Sequence, residues 1–237
     1  MTKDSIIPVS RSQWYLLETG ARNAADNMAL DESLLEVASE LRAPVLRFYG
    51  WSEPAASFGY FQKYAEIERA TPLRPLVRRP TGGGLVPHDA DWTYSLAFPP
   101  GHDWYGLKAR ESYERVHAWI QAAFARIGWS TELSPTTYHD LPGQCFAGAE
   151  QFDVLWERRK IAGAAQRRTR QGLLIQGSIQ PPNRKLARAD WQREFRLIAQ
   201  EQWGVDWAAL EWTDAMERRV QELAALKYAR PEFNQRR

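Results

Sequence analysis

Arg78-Arg79-Pro80-Thr81-Gly82-Gly83-Gly84-Leu85-Val86-Pro87-His88-Asp89 is the stretch on which the reading of this chain turns. Three consecutive glycines have no Cβ to pack, so they serve close backbone approach, and they let main-chain N–H groups converge on an oxygen-rich group. The two arginines just upstream are expected to meet negative charge. Before the loop, Pro75-Leu76-Val77-Arg78 is apolar enough for a short strand, and after it Trp92 to Phe98 alternates in period two. The glycines are therefore expected to join two strands. No GxxxxGK[ST] occurs, and no GxGxxG opens a helix, so the common nucleotide loops are excluded. A permissive hairpin loop is the bland alternative; the arginine pair and His88-Asp89 favour ligand binding, with His88 itself read as shaping the loop.

Outward from the loop, periodicity predicts a helix over Asn27 to Leu41, strands over Val45 to Trp51 and Ala55 to Tyr60, and a short helix over Tyr64 to Ala70. A long helix is predicted from Gly106 to Ile127, closed by Gly128. Ser134 to Glu150 turns to Pro, Thr, Gly, His and Asp, which marks a loop, and it holds Cys145. Phe152 to Trp156 and Lys160 to Gln166 read as a hairpin around Glu157-Arg158-Arg159, followed by a strand from Leu173 to Ile179. Trp191 to Tyr228 reads as helical with a break near Gly204. Strands in succession, interrupted by a few long helices, imply an α+β fold: a mixed, largely antiparallel sheet flanked by helices.

The chain has 237 residues, 44% hydrophobic and 25% charged, enough for one large domain. A net charge of +2 gives no signature of nucleic-acid binding. No apolar run reaches the length of a membrane span or a signal h-region, so a cytoplasmic location is expected. One cysteine excludes an internal disulfide, and no metal site is expected. The eleven tryptophans are dispersed and read as packing residues.

Four segments occur in a recognisable order: Asn27-Met28-Ala29-Leu30-Asp31-Glu32, Arg79 to Gly84 with His88-Asp89, Arg159-Lys160-Ile161-Ala162-Gly163-Ala164-Ala165-Gln166, and Gln176-Gly177-Ser178. Together they resemble the catalytic domain of the biotin/lipoate protein ligase family, in its lipoate–protein ligase and octanoyltransferase branch. The resemblance covers roughly residues 20 to 234, and with it goes the expectation of a single catalytic domain over 1–237 without a C-terminal accessory domain. It implies a class II biotin/lipoate ligase-like fold whose sheet holds an acyl chain in an apolar tunnel. The implied activity is transfer of an octanoyl or lipoyl group to a lysine of a lipoyl carrier domain.

On this resemblance Arg79, Thr81, Gly82, Gly83, Gly84, His88, Gly163, Ala164, Ala165 and Gln166 are expected to bind substrate, and Lys160 and Cys145 to be catalytic. Lys160, behind Arg158 and Arg159, would steer an acyl or phosphate oxygen, and its positive neighbours are expected to loosen its proton. A lone cysteine is usually a small buried hydrophobe, yet Cys145 lies in a polar loop fifteen residues before Lys160 and resembles the acyl-thioester cysteine of octanoyltransferases. A lysine nearby would favour its thiolate. His139-Asp140 offers a minority Cys/His dyad, and Gln166, Arg167 and Arg168 are expected to line an entrance for an acidic carrier.

Two enzymes fit. A transferase takes octanoyl from acyl carrier protein onto Cys145 and needs no cofactor; a ligase uses ATP and Mg to make an acyl-adenylate in the glycine loop. A carrier-binding module with a degenerate site is the non-enzymatic alternative, against which the joint presence of the glycine loop, Lys160 and Cys145 speaks.

Overall fold

The computed structural model describes residues 12–139, 146, 148–181 and 186–236. The described residues open with strand β1 (Ser12–Arg22), which no periodicity announced, and helix α1 (Ala24–Leu41). This helix begins a turn earlier than expected because its signal is a cap, not an apolar stripe: the Asn23 side chain accepts from the Asp26 N–H. β2 (Val45–Trp51) and β3 (Ala55–Phe58) follow within the expected bounds, but they join different sheets, so the Ser52-Glu53-Pro54 bend carries the chain from one layer to another.

After α2 (Tyr64–Ala70) come β4 (Leu76–Arg78), β5 (Val86–His88) and β6 (Trp92–Phe98). The short β5 was not expected. It lies antiparallel to β3 on one side, while β4 lies parallel to β3 on the other, in a small sheet of order β4-β3-β5. The glycine loop is therefore a crossover over the end of β3, not a connection to β6. Gly59, just past β3, makes room for it: a Cβ there would stand 1.9 Å from the Gly83 carbonyl oxygen.

The short α3 (Asp103–Gly106) precedes the long helix expected from Gly106, which is α4 (Ala109–Arg126) and starts three residues later, after Leu107 and Lys108 run extended and Glu111 closes a capping box on Lys108. Gly128 follows α4 at φ +82°, as expected of a glycine past a helix end. β7 (Glu132–Leu133) leads to a ribbon of β8 (Tyr138–His139) with β9 (Gly148–Ala149). β10 (Val154–Trp156) and β11 (Arg159–Thr169) form the expected hairpin, turned by Glu157 and Arg158 at φ +48° and +64°. Phe152, at φ +75°, stands outside the strand expected to contain it.

β12 (Gly172–Ile179), α5 (Arg188–Trp203) and α6 (Asp214–Leu223) follow, with β13 (Val205–Ala209) in place of the expected simple helix break. α6 runs into a π-helical turn, Ala224–Tyr228, and the short α7 (Pro231–Asn234) ends the description. No helix among the described residues is long and apolar enough to cross a membrane.

Among the described residues the large sheet has eight strands in the order β13-β1-β2-β6-β12-β11-β10-β7, parallel from β13 through β2 and antiparallel beyond. Strand alternation divides its two faces by chemistry. On β6, Trp92, Tyr94, Leu96 and Phe98 join Trp119, Ile120, Trp191 and Phe195 of α4 and α5 in one apolar core. Thr93, Ser95 and Ala97 face the other way, as do Arg47 of β2 and Gln176 of β12, towards α1 and the small sheet. A polar inner face under a second layer is where a ligand can be held.

Candidate active site

The pocket lies between the polar face of the large sheet and the small sheet, with Gly163, Gln176, Ser178 and Thr93 below and Gly83, Val86 and His88 above. Of the expected substrate-binding residues, Arg79, Gly83, His88, Gly163, Ala164 and Ala165 line it. Thr81 reaches the same place indirectly, donating from Oγ1 to Gln176 Oε1 at 2.7 Å. Gln166 turns to α4 instead, where its Nε2 donates to the Ala109 carbonyl at 2.7 Å and its Oε1 accepts from Ser112. Arg168 binds the Tyr105 carbonyl and Ser112, also at the α3–α4 junction, so neither residue lines this pocket.

The two arginines before the glycines do not act alike. Arg78 is fully buried and its guanidinium donates to the carbonyls of Tyr60, Gln62, Phe233 and Asn234. That is an anchor for the C-terminal segment, contrary to the expectation that it meets a ligand's charge. Arg79 curls back on its own loop, donating to the Gly82 carbonyl at 2.6 Å, the Gly84 carbonyl at 2.7 Å and Ser57 Oγ at 3.3 Å. Its planar fork satisfies carbonyls that the glycine turn points inward, which preorganises the loop. Gly83 needs its glycine twice, for φ +83° and because a Cβ would lie 2.9 Å from Arg79 Nη2.

Lys160 sits at the pocket's edge. Its ammonium is 2.7 Å from Asp153 Oδ2, with side chains 2% and 0% exposed. Gly163 permits this seat, since a Cβ on it would meet Lys160 Cε at 2.6 Å and Nζ at 2.8 Å. Asp153 also accepts from the Tyr113 hydroxyl and from the Glu150 N–H. Arg158 and Arg159, the positive neighbours expected beside the lysine, are both exposed, whereas the Asp153 carboxylate is in contact with the ammonium. Asp153 and Tyr113 carry no local sequence signal, because a lone acid before a strand and a tyrosine within a helix look like any others.

Phe146 places its ring centroid 5.3 Å from Lys160 Nζ. Cys145, the residue before it, and Asp140 lie outside the described residues, as does the side chain of His139.

Under the pocket, Asp31 of α1 accepts from Arg47, Ser95, Tyr49 and Gln176 at 2.6 to 2.8 Å. Arg47 also donates to Asn27 and stacks on Tyr49, 3.8 Å from its ring centroid. Burial, and then the Asp31 charge, push the Tyr49 phenol well above its ordinary pKa, so it remains a donor. Every lone pair of the buried carboxylate is used, which holds Gln176 where Thr81 and the pocket need it.

At the other end, His88 is a buried strand residue, not a loop-shaping one. Its ring lies 2.8 Å from Ser57 Oγ through Nε2 and 2.9 Å from Asp91 Oδ2 through Nδ1, and it stacks on Trp51 at 3.8 Å. Both ring nitrogens are thus engaged, Nε2 with the Ser57 hydroxyl, which also accepts from Arg79, and Nδ1 with Asp91. Burial would raise the Asp91 carboxyl, but the His88 ring and donors from His88, Ser178 and Thr93 outweigh it and hold it low.

The lipoyl protein ligase A/B catalytic domain matches residues 23–181 of this chain. Octanoyltransferase LipM of Macrococcus caseolyticus is 34% identical over 185 residues, 71% of this chain and 66% of the relative's own length. Octanoyltransferase LipM of Halalkalibacterium halodurans is 35% identical over 179 residues, 70% of this chain and 65% of its own. The chain thus matches a little under two-thirds of the length of these curated relatives. Among solved structures, lipoate-protein ligase A bound with ATP superposes with a TM-score of 0.75 at 19% identity, covering 95% of this chain and 98% of its own, and so shares the fold. With the match extending from the cap of α1 through the glycine crossover and the Lys160 hairpin to the end of β12, the chain belongs to the lipoyl protein ligase A/B catalytic domain family.

Proposed function

We propose that this protein transfers an octanoyl group from acyl carrier protein to a lysine of a lipoyl carrier domain, through a thioester on Cys145. The observation that carries this reading is at the Lys160 end of the pocket: the ring of Phe146, next in sequence to Cys145, packs 5.3 Å from the Lys160 ammonium, which itself rests on pocket-lining Gly163. The names of the LipM relatives support the same chemistry.

In the first step the Cys145 thiolate attacks the donor thioester carbonyl. The new C–S bond forms as the donor's C–S bond breaks, and the departing carrier sulfur takes up the proton that Cys145 gave up to become the thiolate. In the second step the acceptor lysine amine attacks, the Cys145 C–S bond breaks, the amide forms, and the amine's proton returns to sulfur. Negative charge grows on the acyl oxygen in both steps, and the seated Lys160 ammonium is the group that favours it. The reading needs no metal and no nucleotide.

Incubation with octanoyl-acyl carrier protein alone should leave one octanoyl group on the wild type by intact mass, released by hydroxylamine. Cys145→Ser should not turn over, and Lys160→Ala should lose roughly 100-fold or more in rate. If Cys145→Ser instead modifies a lipoyl domain at full rate with lipoate, ATP and Mg, and the wild type never carries an acyl group, the chain is an adenylate-forming ligase.

A further inference from the structure

Resting on that reading, we propose that the basic and aromatic face built by Tyr60, Phe61, Leu226, Arg230 and Arg236 beside the glycine crossover is where the donor acyl carrier protein docks. Phe61 and Leu226, 71% and 66% exposed, are the two most exposed large apolar side chains among the described residues. They lie on one continuous surface. The Phe61 ring packs edge-on against Tyr60 at 5.2 Å, and the Arg236 guanidinium lies 4.2 and 4.6 Å from the ring centroids of Tyr60 and Phe233. Leu226, Arg230, Glu232, Phe233 and Arg236 then line one open cleft. Positive charge gathers here although the chain as a whole carries only +2. Lys227 and Arg167 lean on Glu32, whereas Arg230 and Arg236 are exposed. A hydrogen bond from Arg236, then the charges of Arg236, Arg167 and Lys227, outweigh burial and hold the Tyr60 phenol below its ordinary pKa. Exposed cations around exposed apolar side chains fit a partner that is acidic and carries an apolar contact of its own, and acyl carrier proteins are small acidic domains.

The face is fixed to the rim of the pocket. The Tyr60 N–H donates to the Thr81 carbonyl at 2.9 Å, and Arg78 donates to the Tyr60 and Gln62 carbonyls at 2.7 Å, which ties it to the crossover whose Gly83 lines the pocket. Arg167 marks its distance from the chemistry. Its guanidinium is 5.7 Å from the Tyr60 ring centroid, and it stands four residues along β11 from Gly163, over which the Lys160 ammonium is seated. Four strand residues span about 13 Å. That separation selects the donor over the acceptor. An acceptor lysine reaches roughly 6 Å beyond its own backbone, through about five bonds, so a lipoyl domain has to dock against Lys160 itself. The phosphopantetheine arm of an acyl carrier protein has about thirteen bonds between sulfur and phosphorus and extends to roughly 16 Å at about 1.25 Å per bond. A carrier seated on this face can therefore deliver its thioester to Lys160, and a lipoyl domain seated there cannot bring its lysine so far.

The test is single-turnover acylation by octanoyl-acyl carrier protein and, in parallel, by octanoyl-pantetheine, which has the reacting thioester without the protein, both read by intact mass. In the double variant Arg230→Glu with Arg236→Glu, the second-order rate with octanoyl-acyl carrier protein should fall about tenfold or more, while that with octanoyl-pantetheine stays within about twofold of wild type. Raising the salt should slow the wild type with the carrier and leave the double variant unmoved. Phe61→Ala and Leu226→Ala should each lower the carrier rate with the same selectivity. Wild-type carrier rates in the folded double variant overturn the face, and so does an equal loss with both donors, which puts the damage in the pocket. Acyl-enzyme made with octanoyl-pantetheine is then given a lipoyl domain: a double variant slow only in this transfer gives the face to the acceptor and overturns the donor assignment. If the same substitutions abolish self-association or binding to anionic vesicles with carrier acylation unchanged, a second copy or a membrane is the occupant, which also overturns the proposal. A wild type that neither thioester acylates overturns the Cys145 thioester reading and this docking with it, whereas pantetheine uptake with unaltered carrier rates overturns the docking alone.

Discussion

His117 is fully buried on α4, donates from Nδ1 to the Tyr113 carbonyl at 2.8 Å, and has no partner at Nε2 among the described residues. A second proton would sit on a nitrogen with nothing to receive it, and burial lowers the imidazole pKa to about 4. The folded state thus binds fewer protons than the unfolded chain between about pH 4 and 6.5, so stability falls as pH drops through that window. About 2 kcal/mol should be lost between pH 7 and pH 5 from this residue alone. Chemical denaturation at both values checks it: His117→Phe should flatten the difference by that amount, and an unchanged slope would move the acid sensitivity elsewhere. The residue matters to the site because Tyr113, which it braces, donates to the Asp153 that seats Lys160. A single histidine in a helical pattern shows none of this in the sequence.

The glycine crossover is the element in which expectation and structure can be compared most closely. Composition pointed to a ligand loop, because three glycines have no packing value, and Arg79 and Gly83 do line the pocket. The path of the loop was not legible, because β5 is only three residues long and owes its strand conformation to pairing with β3, a non-local partner. Arg79 is the brace of this element, and Gly83 is exposed at its tip. Arg79→Ala should abolish transfer by releasing the Gly82 and Gly84 carbonyls, and Gly83→Val by forcing a β-branched residue to φ +83°. In Gly83→Val the strain stays in an exposed turn, so circular dichroism and melting should be near wild type while the rate falls roughly 100-fold or more. Full activity in either folded variant would remove the loop from the site.

At the scale of the whole molecule, the C-terminal segment is part of the site's support. Asn234 Oδ1 accepts the Arg78 N–H at 2.8 Å, its Nδ2 donates to the Tyr228 carbonyl, and the Arg78 guanidinium ties down the Phe233 and Asn234 carbonyls. The strand that launches the glycine loop is thereby clamped by residues more than 150 positions away. Asn234→Ala leaves a buried N–H and a carbonyl without partners and should cost about 1–3 kcal/mol in urea unfolding, with a loss of transfer rate at temperatures where the global fold persists. Stability equal to wild type would show the clamp to be redundant.

Local chemistry determined the helices, most strand bounds, the α+β class and the Lys160 and glycine motifs, because caps, turn residues and apolar periods act over a few residues and leave their mark in sequence order. Tertiary structure alone decided the rest. β1 and β13 form an edge of parallel strands joined through distant sequence, Asp31 gathers donors from three strands, and Asp153 finds Lys160 only once β11 has folded back on β10. Each of these pairs a polar group with one that the chain brings near only on folding. Burial makes the pairing obligatory, but nothing in the spacing of the residues can announce it.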